Sequence, residues 1–372
     1  MTAERWGFSA TLQTHISSDM HKTPMSKMTG LQRCQTVLAG GVADRVPVVP
    51  QTFMFAAETA GIKVGAMAHS AAKMAEAQVI SQAKYGYDGC VIDFDDAALA
   101  EACGAKVIFR ENDPAIVDES DLVLKDLRDV DGLRLPDPWK DGRLPIWLEA
   151  TRLLKERIGD HVFIMGRADQ GPFSLACLLR GPEQFMMDLM DEENHELIHR
   201  LIDYCRQACA RFALAQKEAG AHATSIGDAF AGPSLISPEL YRQFALEPET
   251  RLTQEVQAAD IPFSIHICGN TNRIIADMGR TGAQILEVDW MLDMEKARLA
   301  VPASTVLMGN LNPSDPLVLG TPADVDAAAQ KVIAATGGRG LFLSSGCAMG
   351  RNTPPENMRA LVAAAAKYGE SR

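Results

Sequence analysis

Short apolar runs recur along this chain, with amphipathic stretches between them. The runs are VPVVPQTFMF (46–55), GCVIDF (89–94), VFIMGRAD (162–169), HATSIGDAF (222–230), PFSIHICG (262–269), QILEVDW (284–290), TVLMGN (305–310) and LFLSSGC (341–347). Near-continuous apolar character suits strands buried on both faces of a parallel sheet. The intervening stretches carry helix start and stop signals. Ser237-Pro238-Glu239 and Thr321-Pro322-Ala323-Asp324 each place a capping side chain before a first-turn proline. Thr353-Pro354-Pro355-Glu356 reads as a capping box, and the long pattern 193–219 ends at Gly220, a left-handed stop. Eight strands alternating with helices predict a (β/α)8 TIM barrel. An open doubly wound sheet is the other arrangement of such elements, but no Gly-rich dinucleotide or phosphate loop accompanies it.

The pattern breaks in two places. Residues 95–145, with the turn-rich LRLPDPWKDGRLP, read as an excursion between the second and third strands. Residues 1–27 are polar and methionine-dotted, without the apolar core of a signal peptide, and are expected to form a flexible extension. Residues 28–372 are expected to form a single barrel domain.

Composition narrows the function classes. The chain has 372 residues, 47% hydrophobic and 23% charged, with a formal net charge of −12. That acidity argues against nucleic acid or an anionic membrane surface as a partner. No apolar run approaches the roughly 20 residues that span a bilayer. Eight cysteines (34, 90, 103, 177, 205, 209, 268 and 347) show no short-range pairing pattern. They are expected to be reduced and mostly core filler, which points to the cytoplasm. Cys205 and Cys209, four apart in a helical pattern, belong to that group.

The C-terminal ends of barrel strands share one mouth, and active sites form there. Read in that order, the strand ends offer Asp93 with Asp95 and Asp96, then Asp169, Asp228, His266 with Cys268, Glu287 with Asp289, Asn310 with Asn312, and Cys347. His266 and Cys268 alternate correctly to face one side of a strand. Cys347 is far away in sequence, and only a closed barrel brings it to the same mouth. Two thiolates and an imidazole form a soft N/S₂ set suited to Zn²⁺ with an open fourth position. The competing reading is a satisfied histidine beside inert core cysteines. Asp93, Asp169 and Asp228 are candidate catalytic carboxylates, for substrate orientation or proton transfer, or else barrel-rim caps. Phe53, Met54 and Phe55 are candidates for an apolar pocket wall, and Asn310 and Asn312 for loop shaping. His69, His161, His195, His199 and His222 lack a partner at metal spacing; His195 and His199 read as a solvated helix face.

The stretch HICGNTNRIIADMGRTGAQILEVD, followed by MGNLNP and LFLSSGCAMGRNTPPENMRALVAAA, resembles the uroporphyrinogen decarboxylase superfamily. More narrowly it is similar to the zinc-dependent, corrinoid-linked methyltransferases of that superfamily, including the methylcobamide:coenzyme M enzymes. GPFSLACLLRGPEQFMMDLM (171–190) and SPELYRQFALEP (237–248) fit the same pattern, and the similarity runs from about Met28 to the C-terminus. The resemblance implies Zn²⁺ held by His266, Cys268 and Cys347. It also implies methyl transfer with a corrinoid (cobalamin) carried by a separate small protein, and a small-molecule donor or acceptor. Glu287 is a candidate displaceable fourth ligand, by analogy with cobalamin-independent methionine synthases. Asp289 is a candidate acceptor for the second N–H of the zinc histidine. One departure matters. The Arg-Gln-Ala-Gly-Arg-type motif of true uroporphyrinogen decarboxylases is missing, and Gln51, Thr52, Phe53, Met54 and Phe55 stand after VPVVP instead. A tetrapyrrole decarboxylase and a non-catalytic binding barrel are the alternatives.

Overall fold

The computed structural model describes residues 28–369; the extension expected over 1–27 lies outside them. Among the described residues nine strands form: β1 (Gly89–Ile92), β2 (Val107–Ile108), β3 (Ile116–Val117), β4 (Phe163–Gln170), β5 (Ala223–Gly227), β6 (Phe263–Ile267), β7 (Ile285–Val288), β8 (Val306–Leu311) and β9 (Leu341–Ser345). Seven of them make one parallel sheet in the order β1-β4-β5-β6-β7-β8-β9. Each matches a predicted apolar run within a few residues.

The eighth position is filled differently from the expectation. The run 46–55 contributes one parallel bridge, Val48 to Leu343. Val49 N donates to the Leu343 carbonyl at 2.9 Å and Leu343 N to the Pro47 carbonyl at 2.8 Å, while Asp88 N reaches the Val48 carbonyl at 2.7 Å on the other side. This segment therefore links β9 to the edge of β1 and closes the barrel. Pro47 and Pro50 have no N–H to donate, so the ladder cannot extend. From Phe53 the chain is already helical, to Ala60, and Gly61 stops that helix in the left-handed region at φ 68°.

Between β1 and β4 the excursion holds a short helix (Ala98–Ala102), the antiparallel pair β2–β3, a 3-10 turn (Leu127–Gly132) and the return helix Leu144–Ile158. The caps at Ser237 and Thr321 form as expected, the latter as a reciprocal capping box with Asp324. Thr353 does not cap. The last helix starts at Pro355 with Pro354 at the cap position, and the Thr353 hydroxyl turns back to the Gly350 carbonyl at 2.8 Å. Two successive prolines hold Thr353 one residue too far out. The long helix runs from His195 to Glu218 with Cys205 and Cys209 fully buried along it. All eight cysteines are free thiols. Among the described residues no helix is long and apolar enough to cross a membrane.

Side chains along the barrel interior change character with height. Val49, Val91, Phe163, Met165, Ala223, Ile285, Val306, Met308 and Phe342 pack together at the lower end, with Cys34 and Val37 of the helix Gly30–Leu38 beneath them. Two residues further along the same strands come Asp93, Arg167, Ser225, Glu287, Asn310 and Ser344, all buried. The period of two that builds an apolar floor thus also sets the polar groups above it.

Candidate metal centre and its cavity

His266 sits in β6, opposite Gly227 of β5 and Glu287 of β7. Its Nδ1 lies 3.1 Å from the Glu287 carbonyl, which fixes the ring and turns Nε2 toward the strand end. Cys268 follows directly after the strand, its Sγ 3.1 Å from His266 Nε2 and 3.9 Å from Cys347 Sγ. These three donor atoms all lie within 4.8 Å of one another. Around a tetrahedral Zn²⁺ with Zn–S bonds near 2.3 Å, two sulfurs stand roughly 3.8 Å apart. The two thiols already have that spacing, and the imidazole Nε2 faces them at hydrogen-bond distance, so the donor set fits zinc. Gly346 makes the position of Cys347 possible. A Cβ at Gly346 would stand 2.4 Å from the Trp290 backbone N, so only glycine lets β9 turn this close to the loop after β7.

The charge state matches the geometry. The hydrogen bond from Cys268, then those from His266, push the Cys347 thiol down to about 4 against the opposing effect of burial. Cys268, as the donor to Cys347 and itself buried, is pushed strongly up. Burial opposes a charge on His266, yet the Cys347 thiolate holds its pKa above the ordinary value. Both shifts favour a charged imidazole facing a Cys347 thiolate. A bound cation would take the proton's place.

Beside the cluster lies a buried ion triad. Arg167 of β4 meets Glu287 at 2.7 Å and Asp93 at 3.1 Å. Ser264 donates to the Glu287 carboxylate at 2.8 Å. The Glu287 side chain is therefore turned to Arg167 and Ser264, and it is the backbone carbonyl of this residue that serves the histidine. Asp289 likewise has other partners than those expected. Its carboxylate accepts from Gly269 N at 3.0 Å and Met291 N at 3.1 Å, fixing the loop that carries Cys268. Burial pushes Asp93 up to about 7, partly offset by Arg167.

Asp169 and Asp228 lie at their strand ends but point away from the cavity. Asp169 accepts from Leu99 N at 2.5 Å, and burial followed by the charge of Asp96 pushes its pKa well up. Asp228 accepts from Ser174 N at 2.7 Å and Phe173 N at 3.3 Å, at the first turn of the helix Pro172–Arg180. Burial pushes it up to about 6, with the Ser174 and Phe173 hydrogen bonds opposing. A Cβ at Gly171 would meet the Asp228 carboxylate at 2.5 Å, so glycine is needed there too. Asn310 donates to the carbonyls of Asp289 and Leu292, and Asn312 accepts from Ser314 N and Asp315 N, both as loop braces.

The cluster opens into a cavity of about 210 Å³ whose walls include Gln51, Phe53, Met54, Asp93, Phe94, Asp96, Pro114, Arg167, His266, Cys268 and Cys347. Phe53 and Met54 thus line it as expected. Phe55 instead packs in the outer core, its ring 5.3 Å from that of Tyr85. His195 and His199 pack against the Phe244 ring; His199 is exposed and His195 half-buried.

With this geometry the chain can be set beside known proteins. The uroporphyrinogen decarboxylase (URO-D) family model matches residues 29–368. The chain belongs to the uroporphyrinogen decarboxylase family. Within the family its relatives include methylcobamide:CoM methyltransferase MtbA of Methanosarcina mazei, 31% identical over 349 residues, covering 92% of this chain and 99% of that protein. MtaA of Methanosarcina barkeri, also a methylcobamide:CoM methyltransferase, is 30% identical over 352 residues with the same coverage. The solved structure of a methyltransferase from Methanosarcina mazei aligns with a TM-score of 0.84 at 26% identity, covering 92% of this chain and 99% of that one.

Sequence reasoning gave no role to three residues that line this cavity. Arg167 was hidden in the run VFIMGRAD, although a lone arginine in a buried strand signals a buried carboxylate partner. Gln51 is almost wholly buried, lines the cavity, and its amide nitrogen has no protein partner. Asp96 was seen only as part of an acidic run. It is exposed and lines the cavity, and it accepts a hydrogen bond from Gln170 at 2.7 Å.

Proposed function

We propose that this protein is a zinc-dependent methyltransferase that moves a methyl group between a corrinoid on a separate small protein and a small molecule, with a thiol as acceptor. The observation that carries this is the His266–Cys268–Cys347 cluster at the wall of a cavity lined by Phe53, Met54, Phe94 and Pro114. The methylcobamide:CoM methyltransferase relatives support it at nearly full length.

His266 Nε2 and the two Sγ atoms would hold Zn²⁺. When bound, the metal supplies an open position at which a thiol is held as thiolate at neutral pH, the form that attacks a cobalt-bound methyl group. The chain's own residues do the rest. The Glu287 carbonyl orients the imidazole, and Asp289 holds Gly269 and so the cysteine loop. Asp93, poised near neutrality in the cavity wall, takes up the proton that the thiol gives up. Arg167 holds Asp93 and Glu287 in place. We assign Asp169 and Asp228 to positioning: through Leu99 and Ser174 they set the helices that follow β1 and β4. The apolar walls limit water around the sulfur. Free thiols throughout the chain suit a reducing cytoplasm. A polycarboxylate tetrapyrrole fits less well, because the cavity presents Asp93, Asp95 and Asp96 where such a substrate needs cations.

The test is metal content with turnover. Wild type is expected to bind one zinc, and His266→Ala and Cys347→Ala to lose it. Wild type is also expected to convert methylcobalamin to the Co(I) spectrum when a thiol is added. Full zinc in both variants, or an unchanged cobalt spectrum with every thiol, removes this reading.

A further inference from the structure

Resting on the methyl-transfer reading, one side chain in the cavity wall bears on how the methyl-accepting thiol is held. Gln51 follows the segment that closes the barrel, and its main chain is tied to both sides of Cys347. Its N–H reaches Ser345 Oγ at 3.4 Å, and its carbonyl accepts from Met349 N at 2.8 Å. With Ser345 before the cysteine and Met349 after it, these contacts fix Gln51 beside the metal-binding thiol. Both of its main-chain groups are thus engaged, and the residue is only 1% exposed. Its amide nitrogen, in the same wall as His266, Cys268 and Cys347, has no partner among the described residues.

The other amide and the guanidinium of this wall are committed. Gln170 donates to Asp96 at 2.7 Å, and Arg167 is bonded to Asp93 and Glu287. The wall carboxylates are also directed elsewhere, Asp93 to Arg167 and Asp95 to Arg143. Among the described residues Gln51 is the one member of the wall with a buried polar side-chain atom left unpaired. Its nearest neighbours along the chain that line the cavity, Phe53 and Met54, offer no oxygen. A buried donor without an acceptor is costly, and a ligand that brings an acceptor recovers that cost on binding.

From this geometry we infer that Gln51 is a specificity-determining residue, whose amide N–H donates to an oxygen on the tail of the methyl-accepting thiol. A thiol with a hydrocarbon tail leaves the donor unpaired and is discriminated against for that reason.

Three thiols test this. 2-Sulfanylethanol and 1-propanethiol differ only in a terminal hydroxyl or methyl group, and the tail of 2-sulfanylethanesulfonate ends in oxygens that only accept. Methyl transfer from methylcobalamin is measured with zinc-loaded wild type and with Gln51→Met, which keeps the side-chain length without the N–H. The preference for each oxygen-bearing thiol over 1-propanethiol, in kcat/KM, is expected to fall about tenfold in the variant, through KM rather than kcat. A smaller folded or zinc-loaded fraction lowers all three thiols alike and leaves that ratio unchanged. Gln51→Glu, with acceptors in place of the donor, is expected to lose the sulfonate more strongly than Gln51→Met. In wild type alone, the Gln51 side-chain amide signal in glutamine-labelled protein is expected to shift when ethanesulfonate, which has no sulfhydryl, is added. A preference unchanged in Gln51→Met, or an amide signal indifferent to ethanesulfonate, overturns the inference even if methyl transfer is robust. A shifted amide signal without methyl transfer to any thiol upholds the role of Gln51 and removes the methyl-transfer reading instead.

Discussion

Arg167 is the residue on which the interior above the apolar floor depends. Its side chain is buried, and so are its two partners, Asp93 and Glu287. Removing one member of such a set leaves charges without solvent or counter-ion. Arg167→Met is therefore expected to destabilise the protein by about 3–5 kcal/mol, read as a fall in the urea midpoint. Glu287→Gln keeps an oxygen acceptor for Arg167 and leaves the carbonyl on His266 in place, so its loss is expected to be smaller. If Arg167→Met unfolds at the wild-type midpoint, the triad has no structural weight. At this scale the sequence was readable in part. His266, Cys268 and Cys347 stand out because each is chemically distinctive at a strand end. The imidazole's acceptor was not readable, because it is a backbone carbonyl, and any residue at position 287 carries one. Expecting Asp289 there overlooked that its carboxylate lies within reach of two loop amides.

Among the elements, the helix Pro172–Arg180 shows why strand-end aspartates are ambiguous. It starts with Pro172 at its first turn and has no capping side chain of its own at Gly171. Asp228, from the next strand, supplies the missing acceptor to Ser174 N and Phe173 N. Loss of a capping carboxylate typically costs about 1–2 kcal/mol. Asp228→Ala is expected to lower stability by that amount, and Asp228→Asn by less, since its amide oxygen still accepts. Asp228→Asn is also expected to keep most methyl-transfer activity. A folded Asp228→Asn protein with no turnover would show that the carboxylate takes part in the chemistry. Element existence was legible wherever an apolar run was free to hydrogen-bond along its length. Where proline removed donors, at 46–50 and at 354–355, the same apolar or capping letters produced a bridge in place of a strand and an uncapped helix start. Proline's missing N–H outweighed the pattern at 46–50, while at 354–355 Pro355 holds Pro354 extended, at ψ 135°, so the helix begins one residue beyond the reach of Thr353.

Across the whole molecule, the two barrel ends respond differently to pH. The C-terminal mouth holds carboxylates pushed up by burial: Asp93 to about 7 and Asp228 to about 6. Each binds its proton more tightly folded than unfolded, so each withdraws stability as pH rises from the ordinary carboxylate range through those values. Toward the other end sits His222, just before β5. Its Nδ1 accepts from Ile164 N at 3.0 Å, its ring stacks on Phe163, and Lys155 Nζ stands 3.2 Å from Nε2. Burial first, then the Lys155 cation, push its pKa down to about 4, with Asp160 opposing. The folded state therefore binds fewer protons than the unfolded chain between about 6.5 and about 4. Stability from His222 is fully present above that window and is lost as pH falls through it. The ring is partly open to solvent, so screening limits the effect to about 1–2 kcal/mol. His222→Gln keeps an acceptor for Ile164 N without a titrating ring. The opposing carboxylates are common to both proteins, so the difference in urea-unfolding free energy between wild type and His222→Gln isolates the histidine. That difference is expected to shift in favour of the variant between pH 6.5 and pH 4 and to stay level between pH 7 and pH 8. A pH-independent difference across the acid range would mean that His222 takes up its proton as readily in the fold as in the unfolded chain, and that Nδ1 is not held as the acceptor for Ile164 N.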